Sequence, residues 1–389
     1  MLALLAAGES LGMTLWFSAT AAAPALVAQF HLSAAGAAWL TMAVQGGFVV
    51  GTLGSALLNL PDLLAARRLF ALGCILGALA TAAVTRAGSA PAAFLLRFCT
   101  GAALAWVYPT GMKMVASWFA RDRSTGLGVL VASLTIGQAF PHLLAALAPD
   151  STWQARMLVS SMLAVCGGVL VLVAFRDGPH LLAIGRFDPR AAAALFRNVR
   201  TRLAAFGYLG HMWELYAMWS WAGVFAAASL AAAGGRDVSR AASGAAFLAI
   251  ATGSIGCLLG GLLADRIGRA RVAGGALVLS GSCAILSGLV YGHSPTLLYA
   301  LLACWGLVVV ADSAQFSALI ADYSPRSHVG TALAVETCCG YLLTMFSIRL
   351  MPTIASAITW RWTFLALVPG PIVGAWAMRR LARITHADP

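Results

Sequence analysis

The sequence carries very little charge. Of its 389 residues, 10% are Asp, Glu, Lys or Arg and 61% are hydrophobic, with a mean hydropathy of +0.86. A soluble domain carries about 25% charged residues. A water-soluble core cannot hide so much apolar surface, so an ordinary soluble protein is excluded. The composition predicts a polytopic helical membrane protein.

Signatures of several other protein classes are absent from the sequence. No G-x-x-x-x-G-K-[ST] segment occurs, which argues against a nucleotide-driven pump. The eight cysteines lie in apolar stretches without metal-ligand spacing, so we expect no metal and no cofactor. The net charge of +12 comes in short clusters and not in runs, which predicts no nucleic-acid partner. No nucleophile–base pair stands out, so we expect no enzyme.

Apolar stretches long enough to cross a bilayer, which takes about 20 residues, recur along the chain. We predict an all-α membrane protein whose transmembrane helices are 2–27, 36–58, 69–88, 91–115, 125–147, 154–175, 203–232, 240–263, 271–291, 295–320, 327–350 and 359–379. The first has no basic region before it and contains Glu9, so we interpret it as a spanning helix and not as a cleavable signal peptide.

One break between spans is longer and more polar than the others. Residues 176–202 carry several arginines and two aspartates, and we interpret them as a cytoplasmic linker. The linker divides the twelve helices into two pseudo-symmetric six-helix bundles, 1–175 and 203–389. Arginines concentrate in the segments that lie on the same side of the membrane as the linker. This excess predicts that side to be cytoplasmic, and it places both termini in the cytoplasm of a multi-pass cell-membrane protein.

The two halves also resemble each other in sequence. Aligning Asp62 with Asp265, and separately Gly126 with Gly330, requires nearly the same offset. Internal repeats of this kind are typical of secondary transporters.

The segment GLLADRIGRAR, 261–271, resembles a loop motif of the major facilitator superfamily, and RFCTGAALA, 97–105, resembles its fourth-helix motif. The loop match rests on Gly261, Asp265, Arg266, Gly268 and Arg269; the first-half copy is degenerate and keeps Asp62 and Arg67. The resemblance implies a fold of twelve helices, and a loop cluster that latches the two halves on the cytoplasmic side. The alternative is that the loop only caps its helices and sets topology.

Ionisable residues inside the spans are few, and such residues usually face a cavity or a partner. In the family resembled, helices 1, 4, 7 and 10 line the central cavity, and in this chain each of them carries at least one. We therefore predict a substrate and proton cavity formed by Glu9, Arg97, Tyr108, His211, Glu214, Asp312, Gln315 and Glu336. Helical spacing places Glu9, Trp16 and Thr20 on one stripe, and His211 on one face with Glu214.

Each of these residues also has a structural interpretation. Arg97 is either paired with Glu9, holding helices 1 and 4 together, or takes part in substrate or proton binding. Glu214 is either a protonated carboxyl bonded to His211 or a proton carrier. Glu336, like His142, serves interhelical hydrogen bonding or function. A lone His-x-x-Glu pair does not make a metal site.

These features favour a secondary transporter that works by alternating access and is driven by protons, acting as a monomer on a small molecule. Arg97 points to a small organic or inorganic anion, and LGMTLWFSATAAAPAL, 11–26, is similar to permeases grouped near nitrate, cyanate and organic-anion carriers. Nitrate itself is disfavoured, because the nitrate porters of the family resembled carry an arginine in both helix 2 and helix 8, and spans 2 and 8 of this chain have none in their interior. The alternatives are a proton-coupled drug or metabolite efflux antiporter, although the fifth-helix antiporter motif is missing from LTIGQAFPHLL, 134–144, and a non-transporting membrane sensor.

Overall fold

The computed structural model describes residues 1–119, 123–180, 197–325 and 328–387, and in these ranges it contains helices and no strand. Most of the predicted linker, 181–196, lies outside the described residues. The helices are α1 Leu2–Met13, α2 Ser18–Ala21, α3 Ala23–Phe30, α4 Ala34–Leu57, α5 Leu60–Leu63, α6 Ala66–Val84, α7 Ala90–Leu104, α8 Tyr108–Trp118, α9 Arg123–Leu147, α10 Trp153–Ala174, α11 Val199–Ala232, α12 Val238–Ala251, α13 Gly253–Ile267, α14 Arg269–Val290, α15 Pro295–Val310, α16 Ser313–Tyr323, α17 Val329–Thr363 and α18 Pro369–Ala387, with a short 3-10 helix at Phe364–Leu367.

Ten helical stretches in the described part of the chain are long and apolar enough to cross a membrane. Nine coincide with predicted spans 2 to 10. The tenth, Val329–Thr385, covers predicted spans 11 and 12, with the backbone turning at Thr359, where φ is 66°. The first predicted span is divided among α1, α2 and α3. The architecture is therefore all-helical and of membrane type, while the division into twelve crossings and two related bundles stays a prediction.

Several helices begin at a side chain that satisfies a free backbone amide. Ser33 Oγ accepts from the Gly36 N–H, Ser89 Oγ from the Ala92 N–H and Thr152 Oγ1 from the Ala155 N–H. Asn198 Oδ1 does the same for Arg200 at the start of α11. Such caps stabilise a helix start where no preceding turn supplies a carbonyl.

Besides the twelfth, which contains the 3-10 helix Phe364–Leu367, four of the predicted spans are not continuous α-helices. The first unwinds between Met13 and Ser18, the fourth between α7 and α8, the eighth at Thr252 and the tenth at Ala311–Asp312. α11, the seventh span, runs unbroken for 34 residues. In hydrocarbon, a break is tolerated only where protein groups satisfy the backbone it frees. The breaks are therefore places where polar side chains are expected.

Close backbone contacts at glycines hold neighbouring helices together. A Cβ atom on Gly101 would lie 1.8 Å from the Val44 carbonyl oxygen, so α7 and α4 touch along their backbones only because this residue is glycine. A Cβ on Gly306 would likewise lie 2.2 Å from the Ala249 carbonyl oxygen, between α15 and α12. Gly101 belongs to the fourth-helix motif, and this contact is the physical reason for that glycine.

Spans 1–6, here called the first half, meet spans 7–12, the second half, chiefly through two pairs of spans, the second with the eleventh and the fifth with the eighth. α4 packs on α17, where Cys338 Sγ donates to the Val49 carbonyl at 3.9 Å and Thr344 Oγ1 lies 2.6 Å from Gln45 Oε1. α9 packs on α12 and α13. Of the candidate cavity residues, Glu336 lies on α17 itself, and the others lie in the first, fourth, seventh and tenth spans.

Candidate functional site

Arg97 is completely buried and binds the unwound segment of the first span. Its Nη1 donates to the Leu15 carbonyl at 3.0 Å and to Ser18 Oγ at 3.1 Å, and its Nη2 donates to the Trp16 carbonyl. Its Nε donates to the Leu40 carbonyl at 3.4 Å. Arg97 thus donates to two carbonyls within the break, and it joins the first and fourth spans through backbone rather than through Glu9.

Glu9 lies beside the second part of the fourth span. A Cβ on Gly111 of α8 would come within 2.9 Å of Glu9 Oε2, so the carboxyl packs directly on that glycine. Glu9 is 0% exposed and neither carboxyl oxygen has a hydrogen-bond partner. Tyr108 begins α8 after the break in the fourth span and is half-buried. An unpartnered carboxyl in this setting is expected to be neutral, because a lone buried charge is very costly.

His211 pairs with Asp312 across the seventh and tenth spans. His211 Nδ1 lies 2.8 Å from Asp312 Oδ1, and both side chains are almost fully buried. Asp312 occupies the break between α15 and α16, which turns its carboxyl toward α11. The ring of Phe316 lies 5.6 Å from the imidazole. Sequence spacing instead paired His211 with Glu214 on its own helix.

Glu214 binds two neutral donors on neighbouring helices. Trp305 Nε1 donates to Glu214 Oε1 at 2.7 Å, and Ser280 Oγ donates to Oε2 at 2.8 Å. The side chain is 0% exposed. Glu214 is therefore not bonded to His211, as the structural interpretation expected. It connects the seventh span to the ninth and the tenth instead. The carboxyl lies one helical turn from the His211–Asp312 pair.

The remaining predicted cavity residues lie in the second half. Gln315 is buried on α16, one turn after Asp312. Glu336 on α17 is 5% exposed, and its two carboxyl oxygens have no hydrogen-bond partner. A small cavity of about 20 Å³ separates it from the seventh and tenth spans, lined by Ala205, Tyr208, Leu209, Ile320, Val335, Glu336 and Cys339.

An aromatic cluster fills the contact between the two halves. We call Trp16, Phe17, Phe48, Tyr216, Trp219 and Tyr341 the central aromatic cluster. The Tyr216 and Tyr341 rings lie 5.2 Å apart, and their hydroxyls are joined at 2.8 Å. The Trp16 ring lies 5.7 Å from Tyr216 and 5.5 Å from Tyr341. The first half thus meets the second through aromatic faces, whereas the pairs His211–Asp312 and Glu214–Trp305 lie within the second half.

The loop motif lies at the end of α13, where predicted topology places the cytoplasm. Gly268 has a φ of +91°, a conformation that favours glycine and turns the chain from α13 into α14. Arg269 forms an ion pair with Asp322 at the end of α16, and both residues line a pocket of about 370 Å³. Asp265 and Arg266 are exposed and Gly261 is half-buried. The pair joins two elements of the second half, so the predicted latch between halves stays a prediction.

In the first-half copy of this loop, Arg67 is half-buried at the start of α6, and the side chain of Asp62 lies outside the described residues.

Several residues of the site were missed by the sequence analysis. Ser280 and Trp305 hold Glu214, Asp322 holds Arg269, and Tyr216 and Tyr341 form the centre of the aromatic cluster. Serine, tryptophan and tyrosine are common in spanning helices, so their identity gave no signal. In the part of the chain that the structure describes, no group of three or more His, Cys, Asp or Glu is arranged to hold a metal ion.

Helices of bilayer length, several of them interrupted, that carry buried ionisable side chains define a polytopic membrane protein. The chain belongs to the Major Facilitator Superfamily, whose family model matches residues 4–235 and 215–389. The predicted family is confirmed.

Among characterised proteins, the chain is 28% identical over 195 residues to the Hexuronate transporter of Escherichia coli strain K12, and equally to that of Escherichia coli O157:H7. The matched region covers 46% of this chain and 43% of each relative, so this chain matches less than half of the relatives' length.

Proposed function

We propose that the protein is a proton-coupled secondary transporter of a small organic anion, with both termini in the cytoplasm, working as a monomer by alternating access. Membership of the Major Facilitator Superfamily supports a transporter. Similarity to a hexuronate transporter supports a carboxylate-bearing substrate.

The observation that carries proton coupling is the acid–base group on one face of α11. His211 Nδ1 is 2.8 Å from Asp312 Oδ1, and Glu214 lies one turn along the same helix. Ionised side chains in the bilayer interior are costly, so this group takes up or releases a proton only together with a change of solvent access or a compensating charge. That requirement is what couples proton movement to substrate movement.

Arg97 supports an anionic substrate indirectly. It is a buried cation held by carbonyl groups, and within the described residues no carboxylate lies within salt-bridge distance of it. Its positive charge lies next to Trp16, at the contact between the halves. The resulting potential favours an anion at that contact over a cation.

The second candidate is proton-coupled efflux of aromatic or cationic compounds. The central aromatic cluster favours it, since Trp and Tyr faces attract organic cations.

Proteoliposomes with an imposed pH gradient separate the two candidates. Glucuronate, as a representative hexuronate, and a fluorescent cationic dye are the two probes, with protein-free liposomes as the control. Proton-linked glucuronate uptake supports the first proposal, and proton-driven dye extrusion without glucuronate movement supports the second. A gradient that moves neither the dye nor any of a panel of small organic anions, glucuronate included, contradicts both.

A further inference from the structure

Two cysteine side chains meet between the ninth and tenth spans. Cys283 on α14 is 5% exposed, and Cys304 on α15 is exposed. The two helices pack on each other, and the two thiol groups interact across their contact. Both thiols are free in this structure. Both helices belong to the second half, and neither the proposed proton coupling nor the loop motif makes use of this pair.

The register of the two helices supports the same contact independently. A short connection joins α14 to α15, so the packed helices run antiparallel. Ser280 and Trp305 lie at one level, because both donate to the carboxyl of Glu214. Cys283 comes one turn after Ser280, and Cys304 comes directly before Trp305, so both cysteines are displaced from that level toward the connection. At a rise of about 1.5 Å per residue, they lie about 10 Å and about 13 Å from the helix ends at the connection.

The exposed thiol of this pair faces hydrocarbon. Cys304 lies inside the tenth span, more than two turns from its start, so lipid and not water surrounds its exposed side. Reagents dissolved in the bilayer therefore reach it, and reagents confined to water do not. A quinone is an apolar two-electron oxidant with this solubility. A fully substituted quinone has no free ring position for a thiol to add to, so it accepts electrons without forming a stable adduct.

We propose that Cys283 and Cys304 form a redox-active thiol site, which a bilayer-dissolved quinone oxidises to a disulfide between the ninth and tenth spans. The S–H bond of each cysteine breaks and one S–S bond forms. The two electrons and two protons that the thiols lose reduce the quinone to a hydroquinone. Cys304 meets the quinone because it is exposed, and Cys283 lies behind it to complete the bond. A thiol reductant reverses the reaction by exchange.

The disulfide ties together the two helices that hold Glu214. Ser280 lies one turn from Cys283, and Trp305 is adjacent to Cys304. These two residues donate to the two carboxyl oxygens, so a covalent bond beside them limits how far the two donors separate. The redox state of the bilayer thereby acts on the motion of α14 and α15. This effect is independent of whether the carboxyl carries a proton for transport.

Counting the thiols of the reconstituted protein tests the proposal. Fully reduced protein in proteoliposomes is treated with decylubiquinone, unfolded in denaturant and labelled with a maleimide, and the intact mass gives the number of labels. We expect the wild type to lose two of its eight labels, and peptide mapping to locate the bond between Cys283 and Cys304. Cys283→Ser and Cys304→Ser should each retain every remaining label.

Matched controls come from exposed thiols of the first half. Cys99→Ser on α7 and Cys166→Ser on α10 should still lose two labels on treatment with the quinone. Oxidised glutathione stays in the water phase, and it should leave all eight labels of the wild type in place. Gel filtration of every variant confirms that it is folded.

Hydrogen–deuterium exchange measures the effect of the bond on motion. Peptides from α14 and α15 should exchange more slowly in the quinone-treated wild type than in the reduced protein, since exchange there requires local opening. The same treatment should leave the exchange of Cys283→Ser unchanged. Equal exchange in oxidised and reduced wild type would overturn the effect on motion.

The other outcomes separate the steps of the proposal. Retention of all eight labels after quinone treatment would overturn the site, and a bond between other cysteines would overturn its assignment. A mass increase by one quinone would overturn the oxidation step. Loss of two labels to oxidised glutathione as well would overturn access from the bilayer. None of these results depends on the transported substrate, so the proposed function stands or falls separately.

Discussion

Replacing Glu214 by Gln separates the effect of the titratable proton from the effect of the hydrogen bonds that the carboxyl accepts. In the wild type, Trp305 Nε1 and Ser280 Oγ each donate to one carboxyl oxygen. A glutamine amide oxygen still accepts from Trp305. Its NH2 group donates to Ser280 Oγ, whose own proton turns to the Leu277 carbonyl, already within 3.2 Å. Both contacts therefore survive, and only the titratable proton is lost.

The expected magnitudes follow from this geometry. Because no buried group loses its partner, the free energy of unfolding should change by less than about 1 kcal/mol. A gradient of two pH units supplies about 2.7 kcal/mol per proton, which supports about 100-fold accumulation of a substrate carried with one proton. Glu214→Gln should reduce the accumulation ratio to about 1 on this same reasoning, because the gradient no longer drives the cycle.

The assay is uptake of radiolabelled glucuronate into proteoliposomes, first with the pH gradient and then as substrate exchange without it. Exchange should persist in Glu214→Gln, because it needs no net proton movement. Trp305→Phe is the converse control, since it keeps the carboxyl but leaves Oε1 without a donor, at a cost of about 1–3 kcal/mol in stability. Wild-type accumulation by Glu214→Gln would refute the role of Glu214 as proton carrier.

Three further predictions concern other contacts. Arg97→Met removes the guanidinium donor of the Trp16 carbonyl, while the Leu15 carbonyl keeps the Ser18 hydroxyl as a donor, so thermal unfolding in detergent should show a loss of about 1–3 kcal/mol; unchanged stability would contradict its structural role. Gly101→Ala should sharply reduce the yield of folded protein, because its Cβ meets the Val44 carbonyl, whereas Gly54→Ala, with nothing within 4 Å, should fold normally; equal yields would contradict the packing argument. Arg269→Ala should change stability by less than about 1 kcal/mol, since the Asp322 pair is solvent-exposed, but should slow transport if the loop is a latch; an unaltered transport rate would exclude the latch.

The sequence predicted which helices carry buried charge but not which side chains meet. The stripe that joined Glu9, Trp16 and Thr20 assumed one continuous helix. The chain unwinds between Met13 and Ser18, so the periodicity of 3.6 residues no longer relates the two sides of the break. When an arginine of another span binds the carbonyls at a helix break, the apolar stretch that contains the break carries no local sequence signal for it.

The same limitation explains the exchanged partners of the seventh span. His211 and Glu214 share a helix face, as the sequence indicated, but each reaches across to another helix. Asp312 reaches His211 because it lies at a break in the tenth span. Partners such as Ser280 and Trp305 are ordinary membrane residues, and only tertiary packing identifies them. The loop motif, by contrast, was readable because Gly268 is required by a local backbone angle.

The location of the charge pairs has a consequence for the barrier to movement. Among the described residues, both ion pairs, His211–Asp312 and Arg269–Asp322, join elements of the second half, and Arg97 is bound within the first. Separating the halves therefore leaves both of these ion pairs intact. The described side-chain contacts that must break are neutral ones, chiefly Gln138–Tyr216 and Gln45–Thr344, each worth about 1 kcal/mol. A contact face of this kind permits rapid separation, with the strong electrostatic contacts carried along intact.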